Sequence, residues 1–150
     1  KIEDEKREET LSTLFGMAIE ELSDYATIRI DPDTKAAILP IESADDAIAL
    51  DAEYFAEQLI LAASGTREFT IVERKNLQEI IEEQKLQLSG LTSSDDVARV
   101  GEILNAELLV SGNLYLREKY ELFLRLLRVE TAEVLSVTKA IIDPELGLRE

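Results

Sequence analysis

Residues Leu108 to Ile142 read LLVSGNLYL, REK, YELFLRLLRV, ETAE and VLSVTKAII, and the reading of this stretch decides the fold. Leu108, Val110, Leu114 and Leu116 fall on alternate positions, with Gly112 among them, which is the period of a β-strand. After Arg117-Glu118-Lys119 a second strand, Tyr120 to Val129, is apolar on both faces. Leu122, Leu124 and Leu126 lie on one side, and Phe123, Leu127 and Val129 on the other. A strand of that kind belongs in the interior of a sheet. Glu130-Thr131-Ala132-Glu133 then turns the chain into a third strand, Val134 to Ile142. Three strands joined by two tight turns make an antiparallel meander.

Upstream, apolar residues recur at helical spacing. Leu11, Leu14, Phe15, Ala18, Ile19 and Leu22 predict a helix from about Asp4 to Tyr25. A short extended piece, Thr27 to Ile30, runs into a turn at Asp31-Pro32-Asp33. Lys35 to Ile41 reads as a buried strand stopped by Pro40. Ser43 to Ser64 reads as an Ala-rich helix with Ile48, Phe55, Leu59 and Ile60 on one face, closed by Gly65. Phe69 to Val72 is the next strand. A helix from about Arg74 bears Leu77, Ile80, Ile81 and Gln84. A shorter one, capped by Ser94-Asp95-Asp96, bears Val97, Val100, Ile103 and Leu104.

The expected fold class is therefore α/β: a single-domain mixed sheet of about five strands with helices packed on it, ending in the antiparallel meander. Residues 1–30 form an amphipathic N-terminal helix and linker, and residues 31–150 the α/β domain. The chain opens on Lys1 without a Met, so we read it as a processed or trimmed polypeptide whose leader would lie upstream.

Composition narrows the function. Thirty-two acidic residues face 16 basic ones, a net charge of -16. A phosphate-binding protein needs clustered Lys and Arg, so nucleic acid is excluded as a partner, and an anionic bilayer surface would repel this chain. With no His and no Cys there is no Ser-His-Asp or Cys-His arrangement, no thiolate zinc site and no disulfide. The six glycines are too scattered for a phosphate loop. Asp45-Asp46, Asp51 and Asp95-Asp96 sit at helix starts, where capping accounts for them. Asp31-Pro32-Asp33 lacks the ligand order of a calcium loop. Tyr25, Tyr54, Tyr115 and Tyr120 are too dispersed for a sugar or base platform and are expected at core-edge or rim positions. No catalytic, cofactor-binding or metal-ligating residue emerges. No small-molecule substrate is evident, and no cofactor is expected.

Three segments together carry a family resemblance. Phe69-Thr70-Ile71-Val72-Glu73-Arg74 followed by Leu77 to Gln84 resembles the strand-to-helix signature of the CsgG-like family of bacterial envelope proteins. Ala106 to Leu114 resembles its next strand, and Leu124 to Ser136 its closing hairpin. Lys35 to Ile41 is similar to its first strand, so the resemblance spans about residues 35–142. The implied fold is the one this family shares with the TolB N-terminal domain.

The resemblance implies a non-catalytic, periplasm-facing accessory domain on an outer-membrane lipoprotein. Such a domain would act through contacts with other envelope proteins in assembly or secretion. Membrane association would then come from a lipid anchor outside these residues. The family also implies an alternative, a subunit of an oligomeric secretion channel or ring, and with it a homo-oligomer. A third reading, a carboxylate-based hydrolase, needs two acids converging in a buried cleft.

Three departures from the family pattern stand out. The charged turn Arg117-Glu118-Lys119 joins strands that the sheet already requires, leaving no long membrane hairpin. Glu42 to Asp51, which matches the family channel's pore-narrowing loop, is short and carries neither an aromatic residue nor Asn. The family's Thr-Gly-Glu turn is Thr131-Ala132-Glu133 here.

Overall fold

The computed structural model describes residues 2–72 and 94–144, with side chains from Leu11 onward in the first helix and from Val97 onward in the last. Helix α1 (Ile2–Asp24) is followed by strands β1 (Lys35–Ile38) and β2 (Glu42–Ser43). A 3-10 turn (Asp46–Ile48) leads into α2 (Ala49–Thr66), then β3 (Thr70–Ile71) and α3 (Ser94–Leu104). The meander closes the chain: β4 (Leu108–Leu116), β5 (Tyr120–Arg128) and β6 (Val134–Ile142). The predicted helix from Arg74 with its Leu77, Ile80, Ile81 stripe, the Asp95 and Asp96 side chains, and the tail beyond Pro144 lie outside the described residues.

The sheet runs β3-β1-β4-β5-β6, with β2 added beside β4. β1 pairs parallel with both β3 and β4, and β4, β5 and β6 pair antiparallel. The mixed sheet and terminal meander are as expected, with one extra strand. The pairing breaks around Pro40. The Leu39 N–H still reaches the Val110 carbonyl at 2.9 Å. Beyond the proline the chain slips by one residue against β4, from Ile38 opposite Val110 to Glu42 opposite Asn113. Pairing resumes at Glu42-Ser43, parallel to β4, and Ala44 continues it to the Leu114 carbonyl at 2.9 Å.

α2 also differs in its bounds. Asp45 accepts a hydrogen bond from the Ala47 N–H at 3.0 Å, so it caps the 3-10 turn, and the helix proper starts at Ala49. The helix passes through Gly65 to Thr66 and is closed by Arg67, whose φ is 59°. Thr27 to Ile30 forms no strand; the Thr27 N–H instead meets the Leu135 carbonyl at 3.2 Å.

The two faces of the sheet are covered unequally. Ala36, Ile38, Leu108, Val110, Leu114, Leu122, Leu124 and Leu126 face α1 and α2 in the larger core, with Leu11, Phe15, Ile19, Leu22, Phe55 and Leu59 opposite them. α1 is thus part of this core. Gly112 sits between Leu108/Val110 and Leu114, where a Cβ would come within 3.0 Å of a Leu124 methyl and 3.2 Å of Ile41. Its missing side chain lets those two groups close over β4. On the opposite face Ala37, Leu39, Leu109 and Leu127 pack under Val97, Val100 and Leu104 of α3. α3 lies close: a Cβ on Gly101 would fall 2.3 Å from a Val129 methyl.

Candidate partner-binding surface

Beyond α3, the second face of the meander carries several exposed side chains among the described residues. The antiparallel register lines up its residues in rows. Asn113, Phe123 and Lys139 form one row, and Tyr115, Glu121 and Ile141 the next. Arg125 and Val137 share the row nearer α3 with Ser111. Alternation sends all of these side chains away from the larger core. The exposure is substantial: Val137 60%, Ile141 51%, Phe123 40% and Tyr115 39%.

The face is ordered by its own contacts. The Tyr115 and Phe123 rings meet edge to face, with centroids 5.6 Å apart. The Lys139 ammonium lies 5.5 Å from the Phe123 ring centre and 3.8 Å from the Glu121 carboxylate. At such exposure the ion pair is worth at most about 1 kcal/mol. Its use is to hold the ammonium over the ring. The result is a surface on which two aromatic and two β-branched residues alternate with Arg125, Lys139, Glu121 and Asn113. Aromatic and Arg side chains are the ones enriched at protein-binding surfaces.

The acids and tyrosines singled out in the sequence have different fates in the fold. Asp45 caps, as expected. Asp31-Pro32-Asp33 is a turn, closed by the Thr34 N–H on the Asp31 carbonyl at 2.9 Å. Asp51, in the first turn of α2, accepts a hydrogen bond from the Tyr120 hydroxyl. Of the tyrosines, Tyr25 is exposed and Tyr115 lies on the open face. Tyr120 corrects the expectation of an edge position: it is fully buried at the centre of the larger core, 5.2 Å from the Phe55 ring. Its place follows from alternation, since Tyr120 shares a face with Leu122, Leu124 and Leu126.

Acids gather loosely elsewhere. Glu102, Glu107 and Glu130 line a shallow depression with Lys35, Gly101 and Asn105. There the Glu107 carboxylate accepts the Lys35 backbone N–H at 3.1 Å. Among the described residues Ser136 is a buried polar side chain and the Ser111 hydroxyl is buried as well, and no group of His, Asp and Glu is placed to hold a metal. No helix among them is long and apolar enough to cross a membrane.

An open mixed sheet with a long antiparallel meander, one face buried under two helices and the other partly open, defines a class of small α/β domain that comparison makes specific. The family model described as the curli production assembly/transport component CsgG matches residues 52–118, just under half of the chain. This bears out the CsgG-like resemblance of the sequence. Among solved structures, the C-terminal domain of LpoB from Escherichia coli superposes with a TM-score of 0.71 at 13% identity, covering 89% of this chain and 98% of that one. The same domain from Salmonella enterica gives 0.65 at 14% identity, covering 86% and 95%. An NMR structure of E. coli LpoB gives 0.68 at 16% identity, covering 86% of this chain and 65% of that one. At such identities these likenesses establish the fold. No curated protein matches the sequence.

Proposed function

We propose that this domain is a non-catalytic accessory module of the bacterial cell envelope, carried on an outer-membrane lipoprotein and facing the periplasm, that works by holding partner proteins. The observation that carries the reading is the open meander face, with Tyr115, Phe123, Val137 and Ile141 exposed together on an otherwise well-covered sheet. Isolated exposed apolar residues are ordinary; four in adjacent rows mark a contact surface. The CsgG family match and the fold shared with the LpoB C-terminal domain support the envelope setting. A hydrolase would need acids desolvated in a cleft. The acids around Lys35 lie in an open depression instead.

A second reading, a subunit of a CsgG-type transport assembly, draws on the same family match. Against a membrane hairpin at this point stands the turn of three residues between β4 and β5, whose ends meet in the Tyr120–Leu116 pair. Complementation tests the leading reading. In a host lacking the gene, full-length protein carrying Leu61→Glu, on the exposed side of α2, restores the envelope phenotype. Tyr115→Glu does not, although both variants unfold at the wild-type midpoint. Full activity of Tyr115→Glu would overturn the reading.

A further inference from the structure

Among the described residues β6 ends the sheet, and beyond a bulge at Leu135 its outer edge is long and unbroken. Among the described residues, the backbone hydrogen bond that reaches it from outside the meander is the one from Thr27 to Leu135. Leu135 is the extra residue of the bulge that shifts the register opposite Leu126 and Leu127. From Ser136 to Ile142 the strand pairs with β5 on one side and ends the sheet on the other. α1 meets β6 on the core face instead, where Ser136 donates to the Leu22 carbonyl at 2.5 Å and Thr138 to the Glu21 carboxylate at 2.6 Å. Proteins blunt such edges with Pro, short strands, charges, bulges or a covering element, and the bulge of β6 is confined to its first two residues. β6 has nine residues, no Pro and one charge, Lys139, with Val134, Val137 and Ile141 exposed.

Charge selects the occupant. The chain carries -16 overall, so two copies repel over most of their surface. The meander is the least acidic part, even with Glu107 and Asp143 at its ends and Glu21 of α1 beside it. From Leu108 to Ile142 five basic residues (Arg117, Lys119, Arg125, Arg128, Lys139) stand against four acidic ones (Glu118, Glu121, Glu130, Glu133). Two copies meet with least repulsion there, and a β-branched strand is a good partner for itself. We infer that β6 pairs antiparallel with the β6 of a second copy, joining two six-stranded sheets across a two-fold axis. This contact uses the edge of the sheet and leaves the Tyr115–Phe123 end of the open face for other proteins.

The inference separates from other modes of association by its salt dependence. Repulsion between two acidic bodies is screened by salt, while backbone pairing is not. Association therefore tightens as salt rises, whereas docking of Arg125 and Lys139 onto an acidic surface would weaken. Sedimentation equilibrium of the whole chain, up to about 200 μM and at about 50 and 500 mM salt, reads this directly. The expected result is a dimer, tighter at the higher salt and weakened about tenfold or more by Val137→Lys, which adds a second charge to each edge. Tyr115→Glu, two strands in from the edge, leaves the dimer intact, so this result is separable from the complementation result. A monomer at both salt concentrations, a dimer indifferent to Val137→Lys, or one abolished by Tyr115→Glu would each overturn edge pairing.

Discussion

The Tyr120 hydroxyl, at the start of β5, donates a hydrogen bond to the carboxylate of Asp51 in the first turn of α2. The ring is fully buried against Phe55, so this one bond fastens the register of the meander to the helix above it. Hydrogen bonds to charged groups contribute about 1.5–3 kcal/mol. Tyr120→Phe should lower the unfolding free energy by about 2 kcal/mol in urea titration, while Tyr115→Phe, on the open face, changes it by less than about 0.5 kcal/mol.

Ala132 turns the chain between β5 and β6 at a φ of 61°, with its N–H on the Arg128 carbonyl at 2.7 Å. Left-handed backbone costs an alanine about 1 kcal/mol relative to glycine, partly offset by the greater freedom glycine has when unfolded. Ala132→Gly should therefore stabilise the domain by about 0.5–1 kcal/mol. The same change at Ala140, in the middle of β6, should destabilise it. The pair of urea midpoints distinguishes a turn effect from a general one.

Gly101 in α3 tests how closely that helix lies on the sheet. In a free helix Gly→Ala stabilises by about 1 kcal/mol. Here the added methyl would meet Val129, so Gly101→Ala should cost about 1–3 kcal/mol instead. Val129→Ala should recover much of the loss in the double variant, as expected for two residues in contact.

α1 contributes Leu11, Phe15, Ile19 and Leu22 to the larger core, and Phe15 meets Phe55 edge to face at 6.0 Å. Phe15→Ala should cost about 3–5 kcal/mol, and a chain beginning at residue 31 should lose cooperative thermal unfolding. Retention of a sharp transition by that shortened chain would place α1 outside the folding unit.

Much of this architecture is legible in the residues. Period two in Leu108 to Leu116 and two-sided apolarity in Tyr120 to Val129 specify the meander, although the second face of β5 is buried only near Leu127 and is exposed at Phe123. Periodicity from Leu11 to Leu22 specifies α1. The differences have local causes. Pro40 suggests a stop where the chain only shifts its register on β4 by one residue and continues as β2. Gly65 suggests a helix end, yet the left-handed residue is Arg67. The open face is hidden for a related reason: Phe123 and Leu127 share a side of β5, and alternation cannot tell which one α3 covers. Tyr120 looks like one more scattered tyrosine until its phase with Leu122 and Leu124 is followed into the core.

The central claim is that the open meander face holds other envelope proteins. Site-specific photo-crosslinking in the native host tests it most directly, with the probe placed at Tyr115, at Phe123 and, as a control, at Leu61, which is more exposed than either. The account predicts discrete adducts heavier than two copies of the chain at the first two positions and none at Leu61. Adducts of equal yield at all three positions, or none at Tyr115 and Phe123, would contradict it.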